Sequence, residues 1–254
     1  MQAPMKHLFS PEGEAALAFT LAQRPLLAFD FDGTLAPIVS RPDDAHVPMA
    51  VARRLDRLSG MLPLAIISGR AIDDVRSRLS FEPRYIIGNH GAEDSTGPAV
   101  VDRAMVFDEL RERLRGRATD LDVAGVAVDD KHQSIALHYR LSRDRAQALE
   151  LIRRLTDGLG AGIHVYGGKL VANVVAAQAP DKASAVASLV QRCAVEAAFF
   201  VGDDLNDEPV FVRAEPSWLT VKVGRDDPAS RAMFHLDHAG EVAAMLDRML
   251  TLLA

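Results

Sequence analysis

The 254-residue chain has one cysteine, Cys193, so it closes no internal disulfide, and such usage fits a reducing compartment. No run approaches the roughly 18 apolar residues needed to span a membrane. Met1 to Ser10, with one lysine and no apolar core, does not read as a secretory signal, so a cytoplasmic location is expected. A basic excess is also missing: 29 Lys and Arg stand against 35 Asp and Glu, a formal charge of −6. Binding to a phosphate backbone needs clustered positive charge, so the balance argues against nucleic acid as a partner. A small anionic ligand is not excluded, because it meets the field of its pocket rather than the net charge. Internal repeats and low-complexity segments are lacking, and with 48% hydrophobic residues the chain has enough apolar mass for a core. A monomer acting on a small molecule, away from membranes, is the expectation.

What is present is a series of short apolar runs separated by helical spacings. The runs are Leu26 to Phe31, Leu62 to Ile67, Tyr85 to Ile87, Ala197 to Val201 and Trp218 to Val223. They do not alternate with polar residues, which is the pattern of strands buried on both faces. Met49 to Leu58, Ala71 to Leu79, Lys182 to Cys193 and Glu241 to Leu252 carry apolar stripes at helical spacing between and after them. Strand and helix in alternation predict an α/β fold with a parallel sheet covered by helices.

Residues 100–178 read differently. A charged helix, Met105 to Arg117, precedes alternating strands Asp122 to Val128 and Ser134 to Tyr139, joined by Asp129-Asp130-Lys131-His132. An amphipathic helix, Leu141 to Leu159, leads to strands Ile163 to Tyr166 and Leu170 to Val175 around Gly167-Gly168-Lys169. Polar-out alternation with tight turns predicts a small antiparallel sheet with helices on one face. The boundaries fall near Gly97-Pro98 and Gln178-Pro180. Residues 1–99 and 179–254 are thus expected to form one split core, and 100–178 an inserted α+β module.

Four strand ends carry unusual polar sets, and the carboxyl edge of an open α/β sheet is where ligands bind. Asp30-Phe31-Asp32-Gly33-Thr34-Leu35 offers a carboxylate that can attack phosphorus and a second that can act as acid and then base. Asp-x-Asp alone would read as a solvated turn; the whole segment after a buried strand does not. Ile67-Ser68-Gly69-Arg70 is either an anion site or a plain helix cap. Lys182 in Pro180-Asp181-Lys182 is either a surface lysine or a phosphate partner, since positive charge is unhelpful in a first helical turn. Gly202-Asp203-Asp204-Leu205-Asn206-Asp207-Glu208 crowds acids that would repel unless a cation sits among them, and hard oxygen donors suit magnesium. Asp207 and Glu208 also read as dipole-friendly acids at a helix start.

Together these sets resemble the haloacid dehalogenase-like phosphatases. Gly88-Asn89-His90-Gly91-Ala92-Glu93, Lys131 with Ser134 to Arg140, Gly168-Lys169 and Gly202 to Glu208 resemble the trehalose-6-phosphate phosphatase family in particular. The resemblance implies a doubly wound, Rossmann-like core with an inserted substrate cap. It also implies magnesium-dependent hydrolysis of trehalose 6-phosphate through an aspartyl-phosphate. Asp30 would be the nucleophile and Asp32 the acid and base, with Ser68 and Lys182 on the phosphoryl oxygens. Magnesium would be held by Asp30, the carbonyl of Asp32 and Asp203, with Asp207 in the outer shell. Gly69, Arg70, Asn89, His90 and Gly91 from the core, and Lys131, Arg140, Lys169 and Asn173 from the cap, would contact substrate. Asn206 stands where that family usually has threonine, Asn173 where it has a glutamate, Val175-Ala176 where it has a basic residue and proline, and Ala183 where it has glycine. Another sugar phosphate (sucrose, glucosylglycerol or hexose phosphate) is the alternative substrate. A phospho-receiver or a non-catalytic sugar-phosphate binder is the more distant alternative.

Overall fold

The computed structural model describes residues 5–39, 42–97, 101–225 and 229–254. Met1 to Pro4 of the leader reading and Pro98 of the expected boundary lie outside them. The chain divides into two compact units, Met1–Pro98 with Pro180–Ala254, and Ala99–Ala179. In chain order the first unit begins with β1 (Lys6–His7), α1 (Pro11–Ala22), β2 (Leu26–Asp30), α2 (Met49–Ser59), β3 (Leu64–Ile67), α3 (Ile72–Arg78), β4 (Tyr85–Gly88) and β5 (Glu93–Asp94). The second unit supplies α4 (Asp108–Gly116), α5 (Ala118–Ala124), β6 (Ala127–Asp130), β7 (Ser134–His138), α6 (Arg145–Thr156), β8 (Ile163–Gly168) and β9 (Val171–Ala176). The first unit then resumes with α7 (Lys182–Arg192), β10 (Ala198–Gly202), α8 (Glu208–Val212), β11 (Leu219–Val223), β12 (Phe234–Leu236) and α9 (Val242–Leu253).

The first unit's sheet has the order β1-β12-β11-β10-β2-β3-β4-β5, parallel except for β5. Every residue of β2 is buried, because successive side chains enter two different cores. Leu27 and Phe29 join the apolar stripes of α1, α2 and α9, such as Leu17, Leu55 and Met245. Leu26 and Ala28 join Val186 and Leu189 of α7 and Phe211 of α8. Helices on both faces make the sheet doubly wound. From β2 the chain winds outward through β3 and β4, then returns on the other side of β2 as β10 and winds outward through β11. The switch point between β2 and β10 leaves a crevice at their carboxyl ends. α1, β1 and β12 were not announced by the apolar runs. Among the described residues no helix is long and apolar enough to cross a membrane.

The second unit is an antiparallel sheet, β6-β7-β9-β8. Ile135, Leu137, Ala172 and Val174 point to one face and pack with Leu110, Leu114, Leu121, Ile152 and Leu155 of α4, α5 and α6. The strand expected over Asp122 to Val128 is corrected. Its first half is the end of α5, closed by Gly125 in the left-handed region at φ 68°, and the strand starts only at Ala127. Leu121 is buried while Val123 is 85% exposed, so the alternation there marks one face of a helix.

Candidate active site

The parallel register sets Asp30 at the end of β2 beside Ile67 of β3, and Phe29 beside Val201 of β10. Asp30 and the loop that leaves β10 at Gly202 therefore meet at the switch point. Asp30, Asp203 and Asp207 are all buried, and one oxygen from each lies within 4.8 Å of the others. Lys182, the first residue of α7, reaches in from below with its side chain 1% exposed. Its Nζ donates to Asp30 Oδ1 at 2.6 Å and to Asp207 Oδ1 at 2.7 Å. The surface reading of this lysine is thereby excluded, and its place in a first helical turn is explained by two carboxylates. Asp207 does more than favour a helix dipole. Its Oδ2 accepts the backbone N–H groups of Asp203 at 2.9 Å and Asp204 at 3.0 Å, which folds the acidic loop around it.

When all are ionised, three carboxylates and one ammonium carry a net charge of −2. Burial pushes the Asp30 carboxyl well above its ordinary value; Lys182 opposes this, while Asp207 and Asp203 add to it. Burial also works against the Lys182 ammonium, but Asp207 and Asp30 outweigh it and hold the lysine charged. The donor set is oxygen only and its charge deficit is two, which fits one hard divalent cation such as magnesium. Gly33 shows how closely the two loops approach. At φ +83°, a Cβ there would lie 2.0 Å from Asp203 Oδ2, so only glycine leaves room for that carboxylate.

The neighbouring loops after β3 and β4 are stitched together. Asn89 N–H donates to the Arg70 carbonyl at 2.8 Å, and His90 N–H to the Ser68 carbonyl at 2.9 Å. Asn89 and His90 both sit in the left-handed region, at φ 45° and 60°. Such strain in non-glycine residues needs support. Asn89 Nδ2 donates to Glu93 Oε1 at 2.7 Å, and Glu93 Oε2 accepts the Ile72 N–H at the start of α3. Gly69 faces the His90 ring, where a Cβ would come within 2.3 Å of Cε1. Ser68, Gly69, Arg70, Asn89, His90 and Gly91 are thus brought together. Ser68 is fully buried one residue beyond the partner of Asp30. It does not cap a helix: its Oγ accepts the Arg70 N–H at 3.1 Å, and α3 starts after Ala71 with no side-chain cap.

Asp32 is not part of the carboxylate cluster. Its side chain is 43% exposed and paired with Arg70, whose Nε and Nη2 donate at 2.7 and 2.8 Å. In the second unit, Asp129, His138, Asn173 and Tyr166 share the sheet face opposite the helices. Lys131 Nζ lies 3.5 Å from Asp129 Oδ2, in the turn before β7. Arg140 follows the other end of β7 and donates to the Lys169 carbonyl at 3.2 Å. Lys131 and Arg140 therefore stand at opposite ends of one strand, with Asn173 between.

Two features escaped the sequence reading. Lys222 in β11, 2% exposed, donates to the Asp203 carbonyl at 3.3 Å and lies 3.5 Å from Glu208 Oε1. Its only signal was a charge inside an apolar strand. Asp74 and Arg78 extend the Arg70 network and look like an ordinary helical pair in sequence. A second group with ligand-type side chains, His7, Asp237 and Glu241, lies at the far edge of the sheet. Both nitrogens of His7 are already used, Nδ1 by the Phe9 N–H and Nε2 by Glu241, so that set is closed on itself.

Comparison with known proteins gives a consistent result. The sequence profile of the trehalose-phosphatase family matches residues 28–231. A trehalose-phosphate phosphatase of Mycobacterium marinum is 31% identical over 242 residues, covering 89% of this chain and 61% of its own. The chain spans 61–62% of the length of the trehalose-phosphate phosphatases it matches, and 18% of an uncharacterized glycosyl hydrolase of Mycobacterium tuberculosis that is 30% identical over 244 residues. The C-terminal domain of a trehalose-6-phosphate phosphatase from C. albicans superposes with a TM-score of 0.80 at 23% identity, covering 100% of this chain and 99% of that one. A sucrose-phosphatase from Synechocystis, solved with sucrose and phosphate, superposes at 0.57 with 20% identity over 89% of this chain and 98% of that one.

Proposed function

The chain belongs to the trehalose-phosphatase family, and from that premise we propose that it hydrolyses a sugar phosphate, trehalose 6-phosphate first among them, to the free sugar and phosphate. The observation that carries this reading is the buried meeting of Asp30, Asp203, Asp207 and Lys182 at the switch point, one strand away from Ser68. Phosphoryl transfer needs an aligned nucleophile and neutralisation of the phosphoryl oxygens more than elaborate covalent machinery, and this set offers both. Asp30 and Asp203, with the carbonyl of Asp32, would hold magnesium, Asp207 standing behind them; when bound, the ion supplies the positive charge that lets a carboxylate approach an anionic ester.

The chain's own groups do the rest. A carboxylate oxygen of Asp30 attacks phosphorus, and the bond from phosphorus to the sugar oxygen breaks. Asp32 gives its proton to that leaving oxygen. A water then attacks the phosphoryl carried by Asp30, and Asp32, now a carboxylate, takes the water's proton. The bond from Asp30 to phosphorus breaks, which releases phosphate and restores Asp30. An ammonium has three donors, and Lys182 uses two on Asp30 and Asp207. The third, with the Ser68 hydroxyl, serves the phosphoryl oxygens. Gly69, Asn89, His90 and Gly91 line the approach from the core. Lys131, Arg140, Lys169 and Asn173 of the inserted unit choose the sugar. The chain's lack of a basic excess supports a reading without a nucleic-acid partner, and its single cysteine supports a reducing, cytoplasmic compartment.

The test is phosphate release with magnesium from trehalose 6-phosphate beside sucrose, glucosylglycerol and glucose phosphates. The expected result is fastest release from trehalose 6-phosphate, stopped by chelation and absent in Asp30→Asn. Another best substrate would move the assignment within the sugar phosphates, and Asn173 is the residue that favours that second reading. No release from any ester, with magnesium present, would end the phosphatase reading.

A further inference from the structure

Arg70 is 8% exposed and holds two carboxylates at once. Nε and Nη2 grip both oxygens of Asp32, at 2.7 and 2.8 Å, and Nη1 donates to Asp74 Oδ2 at 2.8 Å. Asp74 Oδ1 in turn accepts Arg78 Nε at 2.8 Å. Arg78, 7% exposed, is tied to the segment before α2 through the carbonyls of Asp43 and Ala45. The Arg70 guanidinium also lies 5.4 Å from the centre of the Phe31 ring, between the two aspartates in sequence. A planar fork on a carboxylate fixes its plane as well as its place, which a lysine cannot do. With two carboxylates on one guanidinium, no net positive charge remains there to attract an anionic ester.

We propose that Arg70 is a positioning residue for Asp32: it sets where the acid and base carboxylate stands, held in turn by Asp74 and Arg78, and it does not bind the substrate. The sequence resemblance had placed Arg70 among the substrate contacts. The inference rests on the phosphatase reading, in which Asp32 serves the leaving oxygen. A sugar alkoxide needs a proton to leave, whereas a nitrophenolate leaves without one. A fault in the placing of Asp32 therefore slows the first step for a sugar ester and spares it for an aryl ester.

The experiment compares Arg70→Lys, Asp74→Asn, Asp32→Asn and the double variant Asp32→Asn/Arg70→Lys with the wild-type chain. Rates of the first turnover are taken with magnesium on trehalose 6-phosphate and on 4-nitrophenyl phosphate, beside steady-state kinetics and a thermal melt. Acid and base catalysis contributes about a hundredfold or more, so Arg70→Lys should lower the first-turnover rate on the sugar ester about tenfold or more. KM should stay within about threefold, and the nitrophenolate burst should fall by less than about threefold. Asp74→Asn, which leaves the grip on Asp32 and loosens its support, should show the same pattern more weakly. In the double variant Arg70→Lys should add nothing to the loss from Asp32→Asn. Equal loss on both esters, a raised KM at unchanged kcat, or losses that add in the double variant would each overturn the inference. A wild-type chain that hydrolyses neither ester would instead overturn the phosphatase reading itself.

Discussion

Replacing Lys182 with methionine removes the one ammonium from the carboxylate cluster while keeping an unbranched stem. The side chain is 1% exposed and bonded to Asp30 at 2.6 Å and Asp207 at 2.7 Å. The balance of the ionised cluster falls from −2 to −3. Breaking a buried pair by removing one partner costs about 3–5 kcal/mol. In a chain of this size each kcal/mol moves the melting temperature by about 2–4 °C, so calorimetry in chelator at neutral pH should show a drop of about 6–20 °C. The loss should shrink in acid. Burial, Asp207 and Asp203 already raise Asp30, and Lys182 is what opposes them. Without the lysine the folded chain binds a proton more readily than the unfolded chain. That contribution is present at low pH and is lost as pH rises through the raised value. Magnesium at a hundred times its dissociation constant should return about 2.7 kcal/mol.

A companion variant separates charge from packing. Lys182→Met/Asp207→Asn restores the −2 balance and keeps an acceptor for the N–H groups of Asp203 and Asp204. It should recover at least about 1 kcal/mol of the loss, a coupling expected of groups in contact. If Lys182→Met melts within about 2 °C of the wild type in chelator, or if the double variant is no more stable than the single one, the charge reasoning is wrong.

Other substitutions probe the remaining groups. Asp30→Asn should abolish phosphate release and leave the melt within about 3 °C of the wild type, because asparagine still accepts from Lys182; full activity with a native melt would remove Asp30 from the chemistry. Gly33→Ala would set a Cβ 2.0 Å from Asp203 Oδ2 at φ +83°. It should cost about 1–3 kcal/mol and erase the magnesium-induced rise in melting temperature, so an undiminished rise would refute the cradle. Asn173→Glu should change the ratio of kcat/KM between trehalose 6-phosphate and sucrose phosphate by about tenfold or more. An unchanged ratio would take Asn173 out of the sugar site.

Asp30 and Asp203 stood out in the sequence for one physical reason, whereas Ser68 and Lys182 kept a helix-cap and a surface reading beside the functional one. A buried parallel strand has no packing use for a polar residue at its carboxyl end, and a parallel sheet brings all such ends to one edge. Asp207 was ambiguous, because an acid in a first helical turn already has a local explanation. Only the tertiary structure shows both of its oxygens engaged, by Lys182 on one side and the loop backbone on the other. The same local sufficiency hid the Arg70 network. Asp74 and Arg78 are four residues apart on α3, the spacing of a surface pair worth a few tenths of a kcal/mol. What distinguishes them is that Arg78 is 7% exposed and reaches backbone carbonyls beyond its own helix.

The inserted unit was legible to a different depth. The sequence showed alternating strands; the structure puts Ile135, Leu137, Ala172 and Val174 of β7 and β9 on the core face and Asn173 and His138 on the other. Parity could not separate strand from helix over Asp122 to Val128. Leu121 with Val123, and Val126 with Val128, each keep a two-residue rhythm, and the left-handed Gly125 between the two pairs ends the helix and breaks the strand reading. The turn Asp129 to His132 and the strand read over Ser134 to Tyr139 already set Lys131 before β7 and Arg140 after it. At about 3.3 Å per residue, Ser134 to His138 alone spans about 13 Å of backbone between the ends that carry Lys131 and Arg140. Asn173, paired with Ala136, lies between them on the helix-free face.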